Sequence, residues 1–231
     1  MCPFVSGREA LAARRIGLLG GSFNPAHEGH RHISMLALKR LRLDEVWWMI
    51  TPQNPLKSTR EMAPFDERLK AATRVARHPR IRVTDVERRL GTAHTADSLA
   101  LLLPRFPKCR FVWLMGADNL QQVSGWKDWK RLFRLIPIAV FSRPPYSKLA
   151  LTARSARVFA DARVVEPLAR SIVTMPPPAW VFLNIRPHAA SATRIRARRA
   201  VSDVDRAKAR AGAAERQSME ARETMMTMER R

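Results

Sequence analysis

Two histidines three residues apart end the stretch GGSFNPAHEGH, residues 20–30. An imidazole can ligate a metal, move a proton, or donate an N–H group to an anion. The metal option fits poorly, because HEGH lacks the register of the H-E-x-x-H zinc motif and no third ligand is evident. The residues ahead of the histidines favour an anion. Gly20 and Gly21 permit a tight turn with close approach of the backbone to a ligand. Pro25 shapes the turn, and Gly29 leaves space between His27 and His30, which face the same way within a first helical turn. Amides at a helix start, helped by the helix dipole, form a ready anion site. Ordinary core or surface histidines are the plain alternative. Neither G-x-G-x-x-G nor a Walker A sequence is present.

A second constellation lies far along the chain, in SATRIR at 191–196. Ser191 and Thr193 offer hydroxyls at a predicted helix start, and Arg196 returns to the face of Thr193 with a fork suited to phosphate oxygens. Serine and threonine are also ordinary N-caps, so this motif is weak by itself. Paired with the first, it reads as a second phosphate cradle facing the histidines.

Both motifs need a scaffold. RRIGLLGG (14–21) reads as a buried strand running into the first motif, and Ile33, Leu36, Ala37 and Leu41 carry a helical stripe behind it. DEVWWMI (44–50), RIRVTDVE (80–87), CRFVWLMG (109–116), IPIAVFSR (136–143) and AWVFLNI (179–185) read as further strands. Helical patterns fall between them at 65–78 and in ADSLALLL (96–103), which Pro104 stops. Near-continuous apolar strands alternating with helices predict an α/β fold with a parallel sheet covered on both faces. In such sheets ligands bind beyond the carboxyl ends of the strands, where GGSFNPAHEGH, TPQNPLK and GADNL all fall. The stretch 147–170 shows no clear pattern, and 201–231 reads as a polar, mobile tail.

Composition narrows the classes. The chain has 231 residues, 46% of them hydrophobic, enough for one core of good size. Its net charge of +22 favours anionic partners, or merely an arginine-rich surface. No apolar run approaches the roughly 18 residues a membrane span needs. MCPFVSGREALAARR has neither the apolar core nor the cleavage site of a secretory signal. Cys2 and Cys109 have no metal-ligand spacing, so a reducing cytoplasm is expected.

GGSFNPAHEGH and SATRIR together resemble the two signatures of the HxGH nucleotidylyltransferases. GTAHTADSL (91–99) and GADNLQQVSGWKDW (116–129) narrow the likeness to the bacterial nicotinate-nucleotide adenylyltransferase family. The resemblance covers roughly residues 14 to 200, and four motifs in order are far more specific than one. It implies a Rossmann-like doubly wound sheet in 14–200, after an extension at 1–13. The implied reaction joins ATP and nicotinate mononucleotide into deamido-NAD and pyrophosphate, with Mg²⁺ bound to the ATP and no protein metal site.

By resemblance, His27 and His30 contact the ATP phosphates, and Gly21, Ser22 and Phe23 lie against the nucleotides through their backbone. Ser191, Thr193 and Arg196 hold the phosphates from the other side, and Asp118 meets the adenosine ribose. Thr95 and Trp126 face the nicotinate ring, while Lys57 and Arg143 are phosphate candidates. Each has a plainer reading: Thr95 and Asp118 as helix caps, Lys57 as a solvated charge, and Trp126 or Trp129 as a core anchor. Departures from the family pattern are His94 where tyrosine is common, Ala190 and Ala192 in the last motif, and the atypical residues 201–231. Rival readings are a sister enzyme with another acceptor, such as nicotinamide mononucleotide, a member retained only for binding, or a basic RNA-binding module. No RNA-binding signature is present, so nucleic acid is not the expected partner. The oligomeric state is not readable.

Overall fold

The computed structural model describes residues 13–52, 62–144 and 146–186. Seven strands form one sheet in the order β3-β2-β1-β4-β5-β7-β6, with every neighbouring pair parallel. They are β1 (Arg14–Gly21), β2 (Glu45–Ile50), β3 (Ile81–Thr84), β4 (Cys109–Gly116), β5 (Ile138–Phe141), β6 (Arg163–Val164) and β7 (Trp180–Leu183). The helices between them are α1 (Glu28–Arg40), α2 (Phe65–Ala76), α3 (Val86–Leu90), α4 (Thr95–Leu102), α5 (Ala117–Gln122), α6 (Trp129–Leu135), α7 (Ser147–Leu151) and α8 (Arg154–Val158). This is the Rossmann-like α/β architecture that the alternating pattern predicts.

Alternate residues of each strand feed two cores, which is why the strands read as unbroken apolar runs. Leu19, Val46, Trp48, Ile50, Val112 and Leu114 pack with α1, α2 and the 3₁₀ segment Glu166–Thr174 on one face. Ile16, Leu18, Met49, Phe111, Trp113 and Met115 pack with α4, α5 and α6 on the other. The chain leaves β1 toward β2 and β3 on one side, then crosses to β4 and β5 on the other. The crevice between the carboxyl ends of β1 and β4 is therefore the topological switch point, where open α/β sheets bind ligands.

Two expectations change. The strand predicted over 80–87 stops at Thr84, and Val86–Leu90 turns into a short helix that buries Glu87. The patternless stretch 147–170 contains α7, α8 and the two-residue β6, elements too short to show a period. Residues 1–12, the SATRIR motif and the tail 201–231 lie outside the described residues. No helix among the described residues is long and apolar enough to cross a membrane.

Candidate active site

β1 delivers the GGSFNPAH turn to the switch point. The two glycines serve it differently from the sequence expectation. Neither has a left-handed φ, and both still belong to β1. Gly20 is required by packing, since a Cβ there would lie 2.3 Å from the Trp113 ring. The tight turn falls instead on Phe23, with φ of 46°, a conformation disfavoured for a bulky residue. Its ring explains the placement: it is buried, stacked on Trp48 at 5.1 Å and set against His30 at 4.7 Å. Phe23 thus supports a histidine with its side chain, a contact that spacing in the sequence did not reveal.

His27 and His30 come together, their ring centroids 3.9 Å apart. His27 is the N-cap of α1, and its Nδ1 accepts from the Gly29 N–H at 3.1 Å. The His30 Nδ1 accepts from the His27 N–H at 3.2 Å. Two imidazoles therefore make the reciprocal box that Ser/Thr and Glu make in many helices. Of the amides at this helix start, those of His27 and Gly29 are thus turned to ring nitrogens and that of His30 to the His27 carbonyl. With an N–H donor facing each Nδ1, the neutral rings are assigned with the proton on Nε2, which makes Nε2 a donor in both. Beneath them, the Trp48 Nε1–H donates to Ser34 Oγ, which donates to the His30 carbonyl, both at 2.8 Å.

Across the crevice, β4 ends at Gly116 and α5 begins with Ala117 and Asp118. Arg143, expected as a phosphate contact, pairs with Asp118 at 2.9 Å. The other carboxylate oxygen, Oδ1, is buried with no hydrogen-bond partner among the described residues, 2.4 Å from where a Cβ on Gly116 would sit. Asp118 is thus held at the start of α5 through the oxygen that Arg143 meets.

Thr95 is the first residue of α4, with His94 at the N-cap, so Thr95 does not cap that helix. Trp126 is half-buried against the core after the 3₁₀ turn Val123–Gly125, while Trp129 is a buried core residue. Asp97, on the first turn of α4, meets Lys127 and Arg131 at 3.4 Å each, which ties the segment carrying Trp126 to the helix that begins at Thr95. Lys57, Ser191, Thr193 and Arg196 lie outside the described residues. The chain leaving β7 is fastened to α1, with His32 Nε2 at 3.1 Å from the Arg186 carbonyl and Arg40 donating to the Asn184 carbonyl at 3.1 Å.

The cytidylyltransferase-like family matches residues 18–198. A protein of Cereibacter sphaeroides named "probable nicotinate-nucleotide adenylyltransferase" is 52% identical, over 79% of this chain and 96% of its own length. One of the same name from Methylorubrum extorquens is 50% identical, over 80% of this chain and 100% of its own. The chain belongs to the nicotinate-nucleotide adenylyltransferase family. Among solved structures, Plasmodium falciparum nicotinic acid mononucleotide adenylyltransferase complexed with NaAD shares the fold, with a TM-score of 0.59 over 78% of this chain and 82% of that one. Identity there is only 17%, so that likeness speaks for the fold alone.

Family membership gives the missed residues their interest. Arg68 and Glu87 are both buried, and both touch the loops that follow the sheet. The four N–H donors that Arg68 uses all go to backbone carbonyls: Ser22, Thr51, Pro52 and Ala63. Glu87 Oε1 accepts from Ser98 Oγ at 3.0 Å, and that hydroxyl lies 2.7 Å from Thr92 Oγ1 in the loop before Thr95. A signal for Arg68 was present: 68, 72 and 76 fall on one stripe of α2, and Ala72 and Ala76 are buried.

Proposed function

We propose that the chain transfers the adenylyl group of ATP to nicotinate mononucleotide, releasing pyrophosphate and forming deamido-NAD. The observation that carries this is the pair of imidazoles set as Nε2 donors at the junction of β1 and α1, on the switch point of the sheet. A phosphate oxygen of the acceptor attacks the α-phosphorus in line. The bond from that phosphorus to the bridging oxygen breaks, and its electron pair leaves with pyrophosphate. No side-chain nucleophile is required. Catalysis comes from alignment and from donors already aimed at the charge that develops on the phosphoryl oxygens.

His30 is assigned to the transferring phosphoryl group, with His27 beside it, and Ser191, Thr193 and Arg196 to the ATP phosphates from the second motif. Asp118, at the start of α5 beside the switch point, is assigned to the adenosine ribose. Thr95 and Trp126 are assigned to the nicotinate ring, and Gly21 and Ser22 to backbone contact. Lys57 is assigned to phosphate. Arg143 acts on the nucleotide through Asp118.

Mg²⁺ is proposed to travel on the triphosphate, to which it would supply charge neutralisation when bound. The donor set fits that arrangement, since each Nδ1 already faces an amide and the Nε2 protons suit phosphate oxygens rather than a metal. A cytoplasmic setting is proposed with it.

Pyrophosphate release from Mg-ATP, with nicotinate or nicotinamide mononucleotide as acceptor, tests the reading. The acid is expected to be strongly preferred, and His30→Ala to lower kcat by about 10²–10³-fold. Preference for the amide would reassign the acceptor. No release with either acceptor, from folded protein, overturns the function.

A further inference from the structure

A guanidinium buried to 3% exposure, as Arg68 is, is costly unless its donors are satisfied. Four of its five N–H groups are: Nε to the Ala63 carbonyl at 2.9 Å, Nη1 to Ser22 at 2.6 Å and Thr51 at 2.9 Å, and Nη2 to Pro52 at 2.7 Å. No carboxylate lies within 4.0 Å of it among the described residues, and burial pulls its pKa below the ordinary arginine value. An arginine kept for charge pairing would have an acid beside it. This one has carbonyls from three separate pieces of chain. Ser22 follows β1, Thr51 and Pro52 follow β2, and Ala63 precedes α2. Asn24 adds a parallel tie, its Oδ1 accepting from the Ala63 N–H at 3.3 Å.

We propose that Arg68 is a positioning residue for the adenylyl-transfer site: its planar fork locks the turn from Ser22 to His27 against the end of β2 and the start of α2, and so fixes where the two imidazoles stand. This rests on the function proposed above. The fork is what matters, because a lysine keeps the charge but cannot direct donors to four carbonyls spread over three segments. His27 and His30 act on developing charge, so a displaced turn costs transition-state stabilisation more than substrate binding.

Arg68→Lys and Arg68→Met test this at low temperature, with rates expressed per folded molecule. Both are expected to lower kcat by about 10²-fold, the loss that a displacement near 1 Å brings, while KM for ATP changes far less. A purely structural role would lower Tm and leave kcat of the folded fraction unchanged, and that result overturns the proposal. Near-normal kcat in Arg68→Lys overturns it too, since charge alone would then suffice. Hydrogen exchange on the wild-type chain gives a reading that no misfolded variant removes. The amides of Ser22, Phe23, Asn24 and Ala26 and that of Ala63, which bonds Asn24 Oδ1, should exchange through one common opening, and independent opening of the two segments overturns the coupling. Failure of wild-type adenylyl transfer would strike the function alone, because the exchange result does not depend on turnover.

Discussion

His27 performs two tasks that can be separated. Its Nδ1 caps α1 through the Gly29 amide, and its ring lies 3.9 Å from that of His30. Asparagine is a strong N-cap without an imidazole. His27→Asn is therefore expected to keep Tm close to wild type while lowering kcat by about 10²-fold, the scale of one lost transition-state donor. His27→Ala should show the same kinetic loss and in addition lose about 1 kcal/mol of stability from the missing cap. Thermal melts beside steady-state rates decide it. Equal stability of the two variants would show that the hydrogen bond to Gly29 does no capping. The residue types at this site were legible early, since His27, His30 and Asp118 stand where the motifs put them. The roles of Phe23 and Arg143 were not, because each depends on a partner that folding supplies: Trp48 and His30 for the ring, Asp118 for the guanidinium.

Glu87 shows how an element can differ from its expected form and so create an ionisable core group. The chain turns at Asp85 and carries Glu87 inward on α3, at 2% exposure, where a continued strand was expected. Burial pushes its carboxyl above the ordinary 4.5, and hydroxyls of Thr51 and Ser98 oppose that only in part. The folded state then holds the proton more tightly than the unfolded chain does, so stability falls as pH rises from 4.5 through the raised value. Glu87→Gln removes that dependence. Its Tm should equal or exceed that of wild type near pH ~7, and the two curves should converge near pH ~4. Melting curves across that range test it, and a variant less stable by the same margin at every pH would mean that Glu87 contributes through packing or hydrogen bonds alone. Strand positions were read well here, with β1 and β4 matching their predicted bounds. Long apolar runs report burial on two faces directly, whereas a four-residue strand followed by a five-residue helix has no period to read.

For the molecule as a whole, the charge of +22 matters because both proposed substrates are anions. A strongly cationic surface raises the capture rate of such ligands, and salt screens that attraction over about 10 Å at 0.1 M. Raising salt from about 50 to about 200 mM should lower kcat/KM several-fold while kcat changes little, since chemistry occurs among donors already in contact. Initial rates at fixed Mg-ATP across a salt series measure this. A kcat/KM that does not move would make the arginine excess a solvated surface with no part in substrate capture.

The sequence alone determined the α/β class, the parallel sheet, and the motifs that fall at its carboxyl edge. Each of these follows from a local pattern: apolar runs of strand length, helical stripes, and short motifs at strand ends. Only the tertiary structure decided how those residues are held. It made Gly20 a packing requirement of Trp113, handed the left-handed turn to Phe23, fixed both imidazoles through their Nδ1 atoms, and buried Arg68 among four carbonyls. A contact such as that between Arg68 and Ser22 joins residues 46 positions apart, and no periodicity within one element encodes it. It exists because the segments leaving β1 and β2 lie beside the start of α2, and their carbonyls need a donor that water no longer supplies.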